Sequence, residues 1–250
     1  MSARPQFTLL PGWSMHSEGW GVFAEGLSRW GTVQAIDLPG HGQHAEPLPA
    51  ATLSAWAVAL AGKLQGETWV GWSLGGMLAL RAALDHPGRA RRLVLLATGA
   101  SFARRAGWPC GSDAQELEAF AATVKGDPYA ALRQFDGWQV AGAERARKTR
   151  DWLARQRLGG GVTREGLVAG LEILRHADLR HELTQLELPV LVLAGAADRV
   201  LPPESAQRTA ALIPGAVYRE LPGAGHACFV SHPAEVLAAI GRFVGAEQTA

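Results

Sequence analysis

The chain predicts an α/β fold: a mostly parallel, doubly wound sheet with an inserted helical cap. Three observations carry this expectation. Six short β-type runs, several apolar almost throughout, are spaced along the 250 residues, as strands covered on both faces require. Helix-like segments alternate with them, the β–turn–α rhythm of a parallel sheet. From about residue 102 to 185 the β-runs stop, and this stretch reads as helices alone.

In chain order the strand candidates are "QFTLL" (6–10), "TVQAIDL" (32–38), "TWVGW" (68–72), "RLVLLAT" (92–98), "VLVLAG" (190–195) and "VYREL" (217–221). The helix candidates between and after them are 52–65, 74–85, 203–213 and 233–244. This assigns residues 1–101 and 186–250 to the sheet-bearing core and 102–185 to the insertion. Breakers at "GDP" (126–128), at "GGG" (159–161) and around Asp178 divide the insertion. Its simplest placement is over the carboxyl ends of the strands, where open α/β sheets bind ligands. Within it, residues 143–164 hold seven basic and two acidic residues, a local charge of +5 in a chain whose total is +1. Such a run is either a solvated helix face or a docking surface for an acidic partner.

With a net charge of +1, no global field recruits nucleic acid or an anionic membrane. Cys110 and Cys228 lie far apart and form no CxxC pair, which favours a reducing compartment. The opening "MSARPQFTLLPGW" breaks its short apolar run with proline and glycine, unlike a secretory signal. No apolar stretch approaches the ~18–20 residues that span a bilayer. The expectation is a cytoplasmic monomer without metal or organic cofactor.

The chemistry centres on "GWSLGG" (71–76). A serine on a sharp strand-to-helix turn needs small neighbours, because side chains there would clash. Ser73 sits between a strand candidate and a helix candidate, which makes it the candidate nucleophile. In the chain order serine, acid, histidine, the acid falls at Asp198, just beyond the run 190–195, and the base at His226, in the loop "LPGAGH" after the last strand candidate. A carboxylate at Asp198 would hold the imidazole Nδ1–H and stabilise the imidazolium. An Asx turn before Val200-Leu201-Pro202 is its alternative use. An oxyanion hole needs two backbone N–H donors. Leu74 supplies one, and Trp13, in "LLPGWSMHSEGW" (9–20), supplies the other. Pro11 has no N–H to offer.

"GWSLGG", "AIDLPGHG" (35–42), "GAADRVLP" (195–202) and "GAGHACFVSHPAEV" (223–236) resemble the α/β-hydrolase superfamily. With "PGW" near the start and "GLEILRHADLR" (170–180), the chain is most similar to the pimeloyl-[acyl-carrier protein] methyl ester esterases of biotin synthesis. The likeness spans nearly the whole chain. It implies an α/β-hydrolase fold and a substrate carried on the phosphopantetheine arm of an acyl-carrier protein. It also implies an ester pocket of Trp13, Ser73, Leu74, Phe135, Asp136, Gly137, Trp138, Gln139 and His226. Carrier docking would fall to Arg133, Arg145, Arg147, Arg150 and Arg155. One departure is that many α/β hydrolases carry His-Gly where this chain has Pro11-Gly12. The competing readings are a broad short-chain carboxylesterase without a carrier, a lyase on the same fold and triad, and a non-catalytic receptor.

Overall fold

Six parallel strands form one sheet in the computed structural model, which describes residues 4–43, 47–159 and 161–245, without the side chains of 157–159. The strands are β1 (Gln6–Leu10), β2 (Thr32–Ala35), β3 (Thr68–Trp72), β4 (Arg92–Leu96), β5 (Val190–Gly195) and β6 (Val217–Leu221), in the spatial order β2-β1-β3-β4-β5-β6. The order reverses at β1, so the carboxyl ends of β1 and β3 flank the crevice where doubly wound sheets take ligands. Leu10 pairs with Gly71 at that end, and Trp72 with Leu96.

Side-chain alternation along the strands builds two apolar layers. In β4, Leu93 and Leu95 enter the layer that also holds Trp56 and Trp69. Val94 and Leu96 enter the opposite layer, with Trp20, Trp72 and Phe229. β3, β4 and β5 are buried along their whole length, whereas the edge strands β2 and β6 are partly exposed.

The helices are α1 (Gly21–Ser28), α2 (Leu53–Leu60), α3 (Leu74–Asp85), α4 (Ala114–Gly126), α5 (Pro128–Val140), α6 (Ala146–Gly159), α7 (Arg164–His176), α8 (Pro203–Leu212), α9 (Cys228–Ser231) and α10 (Pro233–Gly245). Side-chain oxygens of Thr52, Asp113, Asp127 and Thr163 cap the first turns of α2, α4, α5 and α7, satisfying N–H groups with no partner inside the helix. Asp127 also precedes Pro128, a residue pre-set for the first helical position.

Several elements differ from the sequence expectation. β4 stops at Leu96 rather than 98, where Ala97 turns the chain with φ 47°. α1 went unpredicted because Gly21 and Gly26 dilute its apolar period. β2 stops at Ala35 rather than 38: the chain leaves the sheet toward the Pro39-Gly40 turn, closed by His41 N–H on the Leu38 carbonyl at 2.9 Å. α2 ends at Leu60 rather than 65, in a turn where the Lys63 N–H bonds the Leu60 carbonyl.

α4 to α7 all lie between β4 and β5 in the chain. α7 is tied to the loop after β2, where the Thr163 N–H bonds the Gly40 carbonyl at 2.9 Å. A Cβ on Gly166 would sit 2.4 Å from that same oxygen. The middle residue of "GGG", Gly160, lies outside the described residues, as does the Arg157 side chain.

Candidate active site

Ser73 links β3 to α3 with φ 54° and ψ −116°, a left-handed conformation that costs a non-glycine residue about 1–3 kcal/mol. Its surroundings impose that geometry. The Ser73 N–H donates to the Leu96 carbonyl at 2.9 Å, and the Ser73 carbonyl accepts from the Gly76 and Met77 amides at 3.0 and 3.2 Å. The flanking glycines answer to backbone contacts. A Cβ on Gly71 would lie 2.4 Å from Gly76 Cα, and one on Gly75 would lie 2.3 Å from the Leu10 carbonyl oxygen and 2.4 Å from that of Pro11. Because backbone cannot step aside, Gly75→Ala is expected to cost about 3 kcal/mol, the upper end for overpacking. Urea denaturation monitored by circular dichroism checks this figure.

Asp198 and His226 meet through the ends of β5 and β6. Gly195 closes β5, and a Cβ there would touch the carbonyls of Ala224 and Gly225, each at 2.4 Å. Its absence lets the loop 222–227 cross the end of β5, where the Ala197 N–H bonds the Ala224 carbonyl at 2.8 Å. His226 Nδ1 then lies 2.8 Å from Asp198 Oδ2. Asp198 Oδ1 accepts from the Val200 and Leu201 amides at 2.8 and 2.9 Å. The Asx turn and the histidine partner were alternatives in the sequence; one carboxylate does both, with one oxygen each. The carboxylate can only accept at Nδ1, so His226 holds its proton there and presents Nε2 as a lone pair. That Nε2 is buried and makes no hydrogen bond in this structure.

Cys228 lies fully buried beside this pair. Burial, reinforced by the Asp198 charge, pushes its thiol up to about 12, so it stays protonated at neutral pH. His232 is pushed below the usual imidazole range by burial, with the Arg145 charge adding to it.

Trp72 has a role that sequence reasoning missed. Its indole N–H donates to the His226 carbonyl at 3.0 Å. Its ring also underlies Gly12, where a Cβ would be only 3.0–3.2 Å from ring atoms. One side chain thus braces the histidine loop and the loop after β1. The pairing spans 154 residues, and no local pattern announces it.

Trp13 follows Gly12 on that second loop. Its indole N–H donates to the Leu167 carbonyl of α7 at 2.8 Å, and Gly170 leaves room for the ring and for the Leu74 side chain. The Leu74 N–H, at the first position of α3, has no carbonyl one turn back to bond. Trp13 packs edge-on against Phe120 and Phe135, with centroids 5.7 and 5.0 Å apart. Phe120 meets Trp138 with the ring planes tilted by 50° and centroids 4.9 Å apart. These four rings wall a cavity of about 390 Å³ that Phe102, Leu171, Leu174 and Val200 extend. Phe102 and Leu174 also line the narrow crevice at Ser73.

The segment 135–139 divides by helical period. Phe135 and Trp138 face the cavity. Gln139 is buried, and its backbone carbonyl lies 2.8 Å from where a Gly225 Cβ would be, beside the histidine loop. Asp136 bonds Gln139 and does not line the cavity, and Gly137 is exposed with open space around its Cα. Phe120, Leu117 and Leu171 line the cavity without any sequence signal, since their apolar spacing looks like ordinary core. Among the basic residues, Arg133, Arg147, Arg150 and Arg155 are exposed on α5 and α6. Arg145 is exposed too, and its guanidinium also donates to the Ser231 carbonyl at 2.6 Å, tying the start of α6 to α9.

A family model described as the alpha/beta hydrolase family matches residues 9–240. The chain belongs to that family. A bromoperoxidase from Bacillus anthracis shares the fold at a TM-score of 0.88 and 22% identity, with 97% of this chain and 92% of that one covered. Within the family, the chain groups with the pimeloyl-[acyl-carrier protein] methyl ester esterases. It is 38% identical to that enzyme of Nitrosomonas europaea, over 92% of this chain and 91% of the relative. It is 36% identical to that of Stenotrophomonas maltophilia, over 97% and 93%.

Proposed function

We propose that the chain is a serine carboxylesterase that hydrolyses the methyl ester of pimeloyl-[acyl-carrier protein] to free pimeloyl-[acyl-carrier protein] and methanol. The observation that carries the chemistry is the buried Asp198–His226 bond, which leaves Nε2 unpartnered. The relatives' names carry the substrate.

Ser73 attacks the ester carbonyl while His226 Nε2 takes its proton, and Asp198 stabilises the imidazolium. The amides of Trp13 and Leu74 hold the oxyanion. His226 returns the proton to the departing methoxide, and methanol leaves. Water, deprotonated by the same histidine, then hydrolyses the acyl-enzyme to the free carboxylate. Nucleophile–base hydrogen bonds in enzymes are often long before substrate arrives and tighten in the reacting complex. The chemistry requires no metal or organic cofactor.

In this reading α4 to α7 form a cap whose aromatic cavity takes the apolar pimeloyl chain. The exposed arginines of α5 and α6 meet the acidic carrier, with Arg133, Arg147, Arg150 and Arg155 as the docking set. Arg145, exposed beside them, belongs to the same docking set while one guanidinium nitrogen holds the Ser231 carbonyl. Among the described residues no helix is long and apolar enough to cross a membrane, and the reading is of a cytoplasmic monomer.

Charge reversal tests the carrier. Arg147→Glu with Arg150→Glu is expected to lower kcat/KM on the carrier-bound ester by about tenfold or more, as mutated interface charges do. Turnover of a p-nitrophenyl ester should be unchanged. Equal effects on both substrates would remove the carrier and leave a broad carboxylesterase.

A further inference from the structure

His41 is fully buried in the turn after β2, and the mechanism above does not use it. Its two ring nitrogens are both engaged. Nε2 accepts the Ser14 N–H at 3.2 Å, and Nδ1 lies 2.9 Å from the Pro39 carbonyl. A carbonyl can only accept, so Nδ1 carries the proton, and an Nε2 that accepts cannot. The two bonds together specify one neutral tautomer. The ring is held edge-on against Trp56, with centroids 6.0 Å apart.

The residue that His41 grips is unusual. Ser14 has φ 67°, a conformation that a non-glycine residue keeps only when its surroundings enforce it. It is buried, and it directly follows Trp13. In this loop Pro11 has no N–H, and the Met15 N–H closes on the Gly12 carbonyl at 3.2 Å. With the Ser14 N–H directed to His41, the peptide plane after Trp13 is set from outside the loop. Trp72 under Gly12 fixes the other side. The residue between these two braces is the one assigned an oxyanion amide.

We infer that His41 is a positioning residue for the oxyanion hole: its Nε2 captures the Ser14 N–H and so sets the loop that aims the Trp13 amide. This inference rests on the serine-esterase reading. It adds a histidine that touches no reacting atom and acts through the backbone of Ser14. A misaimed donor weakens binding of the oxyanion more than binding of the ground-state ester, so the loss belongs in kcat.

Two substitutions separate the two bonds. His41→Asn places an amide near the Nδ1 position, retaining a donor for Pro39 but no acceptor for Ser14. His41→Gln places a carbonyl oxygen near the Nε2 position. His41→Asn is expected to lower kcat on a p-nitrophenyl ester by about tenfold or more, below the ~10²–10³-fold of deleting a donor outright. KM should stay within about twofold, and the Ki of a trifluoromethyl ketone, which forms the oxyanion, should rise in step with the loss. His41→Gln should recover most of both. The inference is overturned if His41→Asn keeps full kcat, if its loss leaves the ketone Ki unchanged, or if Gln is no better than Asn. Should His41→Asn melt below the assay temperature, His41→Gln decides alone: a ketone Ki within about threefold of the unmodified enzyme supports the role, and a larger rise contradicts it. The underlying reading fails separately, if the unmodified enzyme does not cleave the ester or if Ser73→Ala cleaves it equally well.

Discussion

Ser73→Ala will lower kcat for ester hydrolysis by at least ~10⁴-fold, the scale on which loss of a triad serine is felt. It will leave the unfolding free energy within about 0.5 kcal/mol of the parent. The two expectations follow from different atoms. The backbone of Ser73 is fixed through its amide and carbonyl, by Leu96, Gly76 and Met77, and alanine keeps all three bonds. In the proposed reaction the Oγ is the group that forms the acyl bond, and burial keeps the neighbouring Cys228 thiol protonated. Steady-state hydrolysis and a fluorophosphonate mass shift check the assignment together. Retained turnover, or labelling of the variant at another residue, would place the nucleophile elsewhere.

Asp198→Asn is the second large effect, expected at about 10⁴-fold in kcat with the fold intact. The side-chain carbonyl of asparagine can keep the Val200 and Leu201 amides, which now bond Oδ1. Its NH₂ then faces His226 Nδ1 in place of Oδ2. Two donors cannot share that bond, so the imidazole moves its proton to Nε2 and loses the lone pair that, in the proposed mechanism, deprotonates Ser73. Asp198→Ala should be equally slow and also less stable, by about 1–3 kcal/mol, because two buried amides lose their acceptor. Thermal melting of the two variants side by side distinguishes the catalytic from the structural duty of this carboxylate.

The parts of the fold legible in the sequence were those with a local cause. β3, β4 and β5 are buried along their whole length because both faces are covered; β3 and β5 match their runs, and β4 ends at Leu96, two residues short of its run. Ser73, Asp198 and His226 could be found as candidates because each follows a strand, and glycine marks every close approach around them: Gly71, Gly75, Gly195 and Gly225. What stayed hidden were contacts between distant segments. Trp72 reads as a core residue until its N–H is seen on the His226 carbonyl. His41 reads as one more loop histidine until Ser14 is seen against it. Arg145 reads as surface charge and is exposed, but its bond to the Ser231 carbonyl has no sequence signal. The family resemblance points to the whole run 135–139, whereas helical geometry sends only part of it to the cavity.

The most direct test of the whole account is methanol release from methyl pimeloyl-carrier protein, compared under the same conditions with release from free methyl pimelate. The account predicts a clearly higher kcat/KM on the carrier-bound ester, abolished by Ser73→Ala. Equal efficiency on the two esters, or no methanol from the carrier-bound one, would contradict it.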